Sequence, residues 1–307
     1  MKLAALFLLA LSAGMAGAAD LAAVTSQGAG ALTLLDPASG EIRATVPLPG
    51  KPAAVSVDAA RGRILAVAVE TKRLHIFDLT GRELRQVALE GAPFGLAVDP
   101  ATGLAYVSDW EVPRVFEVDP GTGAILREIA TGPTPSGIAI VDGLMVTADR
   151  DANALSLIEL SSGATRTVPV GEHPFGLTLH EGRAFTADVL ANTVSVVDLA
   201  TGKTVATIPT GERPYAVAFA LDEGFVTDQY GSTVTVFDVG RLEVTGTIDV
   251  GEYPEGIAPT SDGRSLVVAN WFSDSVMVID AASHEVVREI TMPEGPRAFG
   301  AFVAAVP

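Results

Sequence analysis

The chain has 307 residues, of which 48% are hydrophobic and 19% charged, a composition too apolar for a disordered chain. It has no cysteine, which excludes disulfides, thiolate nucleophiles, covalently attached c-type haem and iron–sulfur clusters held by cysteine. Acidic residues outnumber basic ones by 37 to 20, so the net charge of −17 repels a polyanion such as DNA unless the basic side chains cluster on one face.

Residues 1–18 predict a secretory signal peptide. Lys2 provides a positive start, residues 3–17 form an apolar run, and residues 16–18 (Ala-Gly-Ala) form a small-residue cleavage pattern. The alternative, a membrane anchor, requires a longer apolar run, because about 20 residues are needed to span a bilayer. We therefore expect residues 19–307 to form a single domain, exported to a bacterial periplasm and not inserted in the membrane. The outside of a bacterium without an outer membrane is the alternative location.

A strand that ends in an acidic residue recurs along the chain. The acids that close this strand lie 39 to 42 residues apart, at Asp36, Asp78, Asp119, Glu159, Asp198, Asp238 and Asp280. Each interval holds four runs of alternating or continuous apolar residues, bounded by Gly, Pro and Asp. Four strands in about 40 residues are the period of a β-propeller blade, and we label the strands of each unit A to D.

Two short patterns predict the turns between these strands. Between strands C and D the pattern is Asp-x-x-x-Gly, as at Asp36 and Gly40, where the carboxylate accepts a backbone N–H and the glycine supplies a positive φ. Between strand D and the next strand A the pattern is Gly-x-x-Pro, as at Gly211 and Pro214, where the proline opens a strand without loss of a ladder donor. These acids are therefore assigned to turns.

The two ends of the chain predict how the ring closes. After its last strand D, over residues 285–291, the chain has one further apolar run at residues 296–303. The N-terminal part starts with runs that match strands B, C and D, at residues 21–26, 31–36 and 41–46. We therefore predict an all-β, seven-bladed β-propeller with four-stranded antiparallel blades, one of which joins N-terminal strands B, C and D to a C-terminal strand A. Such closure leaves no inner strand edge free to aggregate.

Three strand-B segments carry a family resemblance. Residues 106–109 (Tyr-Val-Ser-Asp), 225–228 (Phe-Val-Thr-Asp) and 267–270 (Val-Val-Ala-Asn) resemble the Tyr-Val-Thr-Asn strand of the bacterial YVTN-type β-propeller repeat family. Residues 194–211 are close to its consensus, and the similarity covers essentially all of the mature chain. Members resemble surface-layer, periplasmic scaffold, single-strand DNA-binding and quinoprotein-associated proteins, so the resemblance implies a fold more than a function.

Antiparallel order places the start of strand A and the end of strand B at the same end of every blade, around one mouth of the central channel. The strand-B ends are Ser26, Ala68, Asp109, Asp149, Asp188, Asp228 and Asn270. The four consecutive aspartates form either a partial acidic ring for a cation or cationic ligand, or caps on the turns of their own blades; we favour the caps. Equivalent positions in a seven-bladed ring lie too far apart to share one Ca²⁺ ion.

Other candidate binding residues lie at the same mouth. The residues that directly follow strand-A prolines include Phe94, Phe175, Tyr215, Glu255 and Arg297. Those that directly precede them include His173, Arg213 and Tyr253, and the two tryptophans, Trp110 and Trp271, directly follow strand-B ends. We expect these side chains to form a recognition surface for a ligand or partner. The alternative is that Phe94 and Phe175 only plug the channel.

Few residues favour catalysis or metal binding. The four histidines are scattered along the chain, which predicts no transition-metal site, and there is no Gly-x-Ser-x-Gly elbow or phosphate-binding loop. We therefore predict no catalytic residue and no cofactor.

The leading functional prediction is a monomeric, exported, non-enzymatic module that binds or scaffolds an unknown protein or small-molecule partner. The alternative is a lactonase-like hydrolase or an accessory protein of a periplasmic quinoprotein or redox system, with Glu255 and either His173 or Arg213 as the candidate catalytic pair. Single-strand DNA binding is the third hypothesis, and the aspartates on the same face oppose it.

Overall fold

The computed structural model describes residues 19–306, which form seven separate four-stranded antiparallel sheets. The expected signal peptide, residues 1–18, lies outside the described residues. Two single turns of 3₁₀ helix, Ala59–Arg61 and Arg150–Ala152, are the helical segments of the described part. No helix within residues 19–306 is long and apolar enough to cross a membrane.

The strands follow the chain in blade order, and strand A of each blade lies at one edge of its sheet. The N-terminal part contributes three strands of blade 7: β1 (Ala19–Ser26), β2 (Ala31–Leu35) and β3 (Ile42–Pro47). Blades 1 to 3 are β4 (Pro52–Asp58), β5 (Arg63–Ala68), β6 (Arg73–Asp78), β7 (Glu83–Ala88); β8 (Pro93–Val98), β9 (Ala105–Asp109), β10 (Arg114–Asp119), β11 (Ala124–Ala130); β12 (Pro135–Val141), β13 (Leu144–Asp149), β14 (Ala154–Glu159), β15 (Thr165–Pro169). Blades 4 to 6 are β16 (Pro174–His180), β17 (Arg183–Asp188), β18 (Thr193–Asp198), β19 (Lys203–Pro209); β20 (Pro214–Ala220), β21 (Glu223–Asp228), β22 (Thr233–Asp238), β23 (Glu243–Asp249); β24 (Pro254–Pro259), β25 (Ser265–Asn270), β26 (Ser275–Asp280), β27 (Val286–Thr291). The last strand, β28 (Val303–Val306), completes blade 7 beside β1.

The predicted ring closure is confirmed, but the regular part of its last strand begins further along the chain than predicted. Strand A of blade 7 is β28 rather than residues 296–303, and Ala22 pairs with Val303. Pro296 makes only an isolated bridge to Ser26. Arg297 and Phe302 still bond to β1, through Arg297 N–H to the Thr25 carbonyl and Ala23 N–H to the Phe302 carbonyl, both at 2.8 Å. Residues 298–301 between them bulge away from β1, with a positive φ of 123° at Gly300. An apolar run shows that a strand is present, but it does not show the extra residues of a bulge.

The bulge joins blade 7 to blade 1. The backbone N–H groups of Val55 and Val57, both on β4, donate to the carbonyl oxygens of Phe299 and Ala301 at 2.9 Å. The C-terminal segment therefore pairs with β1 of its own blade and also bonds to strand A of the next blade.

Glycines two positions after the strand-A prolines let the inner strands approach one another. A Cβ atom on Gly95 would collide with the carbonyl oxygen of Ser136 in the next blade. A Cβ on Gly137 would lie 2.5 Å from the carbonyl oxygen of Phe175. This close approach of blades around the channel explains the Pro-x-Gly pattern in the sequence.

The predicted turns are also present. Asp36 Oδ1 accepts the backbone N–H groups of Ala38 and Ser39 at 2.9 and 3.1 Å, and Gly40 has a φ of 79°.

At the opposite end of the blades, Pro214 pairs with Asp228, so the loop before strand A and the loop after strand B meet. These loops form one face of the ring, which we call the mouth face.

Candidate functional site: the mouth face

Four buried aromatic rings close the channel below the mouth face. The ring centroid of Phe175 lies 5.5 Å from that of Phe94, 4.3 Å from that of Tyr215 and 5.2 Å from that of Phe299. All four side chains are buried. We call these residues the plug, and Phe94, Phe175 and Tyr215 are therefore packing residues rather than parts of an open surface. Phe299 escaped the sequence analysis because it lies in the bulge.

Trp110 covers the plug. Its ring stacks on Phe94 with the centroids 3.8 Å apart, and the guanidinium of Arg150 lies 5.2 Å from the Trp110 ring. The indole Nε1 is buried and has no hydrogen-bond partner within residues 19–306. Trp110 is half-buried, so it offers less surface to a partner than the sequence suggested.

Below the plug lies an apolar cavity of about 490 Å³, which belongs to the central channel. Its lining includes Ile138, Leu177, Val217 and Ile257 from the inner strands, and Phe299 from the plug. A ligand that arrives at the mouth face therefore meets the plug before it can reach this cavity.

A buried ion pair stands beside the plug. Arg297 donates from Nε to Glu255 Oε2, and from Nη2 to Glu255 Oε1 at 3.1 Å and to Tyr215 Oη at 2.6 Å. Gln229 Nε2 donates to Glu255 Oε1 at 2.6 Å. Burial raises the pKa of the Glu255 carboxyl, and the charge of Arg297 acts in the opposite direction. Burial likewise raises the pKa of Tyr215.

The hydrogen bonds of Glu255 involve neither of the residues that were predicted as its catalytic partners. Both oxygens of Glu255 are engaged by Arg297 and Gln229, and neither His173 nor Arg213 hydrogen-bonds to it. His173 is half-buried in the loop before β16, where its backbone N–H donates to Asn153 Oδ1 at 3.0 Å. Gln229 was missed by the sequence analysis, although it follows a strand-B end as the two tryptophans do.

The four strand-B aspartates are all buried at their strand ends. Asp109 accepts the backbone N–H of Ala92 at 2.9 Å and Arg114 Nε at 2.9 Å. Asp149 accepts the hydroxyls of Thr147 and Ser156 at 2.8 and 2.5 Å.

Asp188 and Asp228 repeat this arrangement in blades 4 and 5. Asp188 accepts the Ser195 hydroxyl at 2.7 Å, and Asp228 accepts the Thr235 hydroxyl at 2.7 Å. These hydroxyl donors lie on strands B and C rather than in the B-to-C turns. Asp109 also accepts N–H groups of its own turn, from Glu111 at 3.0 Å and Val112 at 3.3 Å, as the capping alternative predicts for that residue. Within residues 19–306 no group of three or more His, Cys, Asp or Glu side chains is placed to hold a metal ion.

Burial is the largest influence on the pKa of Asp149, Asp188 and Asp228. It raises the pKa of both Asp149 and Asp188 to about 6, against the hydrogen bonds from nearby hydroxyls. Burial also raises the pKa of Asp228. The Oδ1 atoms of Asp188 and Asp228 are buried and have no hydrogen-bond partner among the described residues.

A second aromatic cluster lies on the surface of the mouth face. Tyr230 is 51% exposed and Phe272 55% exposed. Between them lies Tyr253, whose ring centroid is 5.1 Å from that of Tyr230 and 4.1 Å from that of Phe272. The Trp271 centroid lies 5.2 Å from that of Phe272. We call Tyr230, Tyr253, Trp271 and Phe272 the aromatic patch; the guanidinium of Arg213 lies 5.6 Å from the Tyr230 ring.

Half of this patch was predicted from the sequence. Tyr253, Trp271 and the neighbouring Arg213 were predicted, but Tyr230 and Phe272 were missed. Tyr230 and Phe272 each stand two positions after a strand-B end, whereas the predicted tryptophans stand directly after one. The adjacent aromatic pair Trp271 and Phe272 was the available signal.

Comparisons with known proteins show the fold. No family model matches the chain, and no curated protein matches it. A crystal structure of a functionally unknown protein from Desulfotomaculum acetoxidans DSM 771 is similar, with a TM-score of 0.81, 14% identity, and coverage of 93% of this chain and 98% of that chain.

Two other solved structures are also similar to this chain. Dihydro-heme d1 dehydrogenase NirN in complex with DHE has a TM-score of 0.68, with 17% identity and coverage of 93% of this chain and 75% of that chain. Kuenenia stuttgartiensis hydrazine synthase has a TM-score of 0.73, with 17% identity and coverage of 85% of this chain and 93% of that chain. At these identities the likeness concerns the fold alone, and membership of the YVTN-type repeat family stays a prediction.

Proposed function

We propose that the protein is an exported, non-enzymatic binding module that docks a partner protein on the aromatic patch. The observation that carries this proposal is the contrast between two sets of aromatic residues at one mouth. The rings of the plug are buried, whereas Tyr230 and Phe272 are each about half exposed and lie on either side of Tyr253. A cluster of exposed aromatic rings is typical of the centre of a protein–protein interface.

The patch is held in place before any partner binds. The backbone N–H groups of Tyr230, Trp271 and Phe272 donate to carbonyl oxygens of the neighbouring loop at 3.1, 2.9 and 3.2 Å. The guanidinium of Arg297 lies 4.8 Å from the Trp271 ring centroid. Loops fixed in this way lose little conformational entropy on binding, which favours affinity.

The hydrogen bonds of Glu255, the candidate catalytic acid, favour a binding role over hydrolysis. Glu255 would have to be free to exchange a proton with a substrate or water to act as a general acid or base. Both of its oxygens are engaged by Arg297 and Gln229 beside the plug. We therefore consider a binding role better supported than lactonase-like hydrolysis.

The second candidate function is that of an accessory protein of a redox enzyme. It is supported by the fold shared with NirN and with hydrazine synthase, and both comparisons cover most of this chain. In this case the aromatic patch would dock a redox enzyme, so the two candidates differ in the identity of the partner and not in the surface used.

Site-specific photo-cross-linking tests the proposal. A benzophenone amino acid is placed at Phe272, and in a matched control at Val287, which is 57% exposed on outer strand β27 of the same blade. The full chain is expressed in its own host and irradiated in the intact envelope. We expect a discrete adduct from position 272 that position 287 does not give. The absence of an adduct at 272, or the same adducts at both positions, would remove the patch as a docking surface.

A further inference from the structure

A groove adjoins the aromatic patch where the ring closes. It has a volume of about 600 Å³ and lies between loops of blades 6, 7 and 1. Trp271 and Phe272 contribute to one side, and Lys51 and Glu70 contribute from blade 1. This volume is within the range of about 300–1,000 Å³ that is typical of ligand pockets.

The groove lies over a loop of blade 7 in which three of the four residues are glycine or alanine. Residues 27–30 read Gln-Gly-Ala-Gly, whereas the equivalent loop of blade 6 begins with Trp271 and Phe272. The small loop is held by its backbone, since the N–H of Gln27 donates to the Gly295 carbonyl at 2.7 Å and the N–H of Ala29 donates to the Glu294 carbonyl at 3.0 Å. A Cβ atom on Gly28 would lie 2.8 Å from Glu294 Cγ, so the loop packs directly against that side chain.

Carboxylates outnumber cations in this groove. Lys51 Nζ pairs with Glu70 at 2.6 Å, which leaves Asp274 and Glu294 without a cationic partner among the described residues. Asp274 Oδ1 accepts the backbone N–H of Gly295 at 2.8 Å. The carboxylate of Glu294 is exposed and makes no hydrogen bond within residues 19–306, so it is free to pair with a ligand.

We infer that the groove holds an extended segment of a partner protein that contains lysine or arginine, with its cationic group between the Trp271 and Phe272 rings and the carboxylates of Asp274 and Glu294. This inference rests on the proposed function, and it adds the chemistry of the partner. Aromatic faces and carboxylates both attract a cation, and the guanidinium of arginine suits both at once. The net charge of −17 attracts the same class of partner at long range.

Fluorescence titration of purified protein tests this inference. In a Trp110→Phe variant, Trp271 is the sole tryptophan, so the emission reports on the groove. The probe is acetyl-tetra-arginine amide, with acetyl-tetra-glutamate amide as the negative probe. We expect a saturable change with the arginine peptide and none with the glutamate peptide. Calorimetric titration of the unsubstituted protein gives the same comparison if Trp110→Phe disturbs the plug.

A matched pair of charge reversals separates the effect of the groove on peptide binding from the effect of the overall charge. Glu294→Lys alters the groove, whereas Glu285→Lys makes the same charge change at an exposed turn at the other end of blade 6. We expect Glu294→Lys to weaken peptide binding by about tenfold or more, the effect of turning one attraction into a repulsion, and Glu285→Lys to weaken it by less than about twofold.

Several results would overturn the inference. These are the absence of a saturable change, equal weakening by both reversals, and binding of free arginine as tight as that of the peptide, which would indicate a small-molecule site. A failure of this inference can be distinguished from a failure of the proposed function, because the cross-link at position 272 is a separate measurement. If that adduct persists in Glu294→Lys, the patch docks a partner without the groove.

Discussion

Arg297, in the segment before β28, and Glu255, on β24, form a buried ion pair across the seam between blades 7 and 6. The same guanidinium donates to Tyr215 of blade 5 and lies over Trp271 of the aromatic patch. One side chain therefore connects the closing segment of the ring, the plug and the surface that we propose for partner binding.

Arg297→Met is expected to destabilise the fold strongly. Without Arg297 the buried carboxylate of Glu255 loses its counter-charge, and removal of one partner of a buried pair costs roughly 3–5 kcal/mol. Urea unfolding near pH 7 measures this loss. The double variant Arg297→Met, Glu255→Gln is the control, because it removes both charges and should recover a large part of the stability. An unfolding free energy equal to that of the unsubstituted protein would show that the pair contributes little.

Removal of residues 303–307 tests the ring closure. The truncation deletes β28, so the edge of β1 loses the pairing that runs from Ala19 with Val306 to Ala22 with Val303. We expect the melting temperature to fall by roughly 10 °C or more, since a few degrees correspond to each kcal/mol lost in a chain of this size. A truncated protein that melted cooperatively at the full-length temperature would contradict the closure.

The plug and the aromatic patch should respond differently to loss of a ring. Phe175→Ala opens a hole among three other buried rings, and a buried Phe→Ala change costs roughly 3–5 kcal/mol. Phe272→Ala removes a side chain that is 55% exposed and should change the unfolding free energy by about 0.5 kcal/mol or less. Chemical unfolding of both variants makes the comparison. A similar loss from the two would mean that the patch is structural.

Asp188→Asn should change how stability depends on pH. Burial raises the pKa of Asp188 from 3.8 to about 6, so the folded state binds this proton more tightly than the unfolded state. The stabilisation from this group is therefore complete below about pH 4 and is lost as the pH rises through about 6. At about 1.4 kcal/mol for each unit of pKa, the loss amounts to roughly 3 kcal/mol. Relative to the unsubstituted protein, Asp188→Asn should gain that amount between about pH 4 and pH 7.

The chain contains its own control for this experiment. Asn270 occupies the equivalent strand end in blade 6, where its Nδ2 donates to Ser275 Oγ at 3.2 Å, so an amide is accommodated at this position. Asn270→Asp should show the reverse trend, with stability relative to the unsubstituted protein falling as the pH rises. Parallel pH curves for the unsubstituted protein and Asp188→Asn would show that the carboxyl does not titrate in this range.

The repeat was enough to predict the ring from the sequence, because the spacing of strand-C acids from Asp36 to Asp280 gives the number of blades and the four apolar runs in each interval give their strands. The bulge that carries Phe299 could not be predicted, since an apolar run has the same appearance with or without extra residues. The sequence also did not predict that the plug residues are buried whereas Tyr230 and Phe272 of the patch are exposed. Phe94 and Phe272 are the same residue type near the same mouth, but Phe94 lies on inner strand β8 and is buried against rings of other blades, whereas Phe272 lies in the loop after β25 and is exposed.

The most direct test of the account is the affinity of the partner captured at position 272 for a Tyr230→Ala, Phe272→Ala variant. Its control is Val205→Ala, Val287→Ala, which changes two similarly exposed apolar side chains on outer strands. Because truncation of a central aromatic residue commonly costs about 2 kcal/mol, we predict at least roughly a hundredfold loss of affinity for the aromatic variant and little change for the control. Equal affinities for both variants would contradict the account.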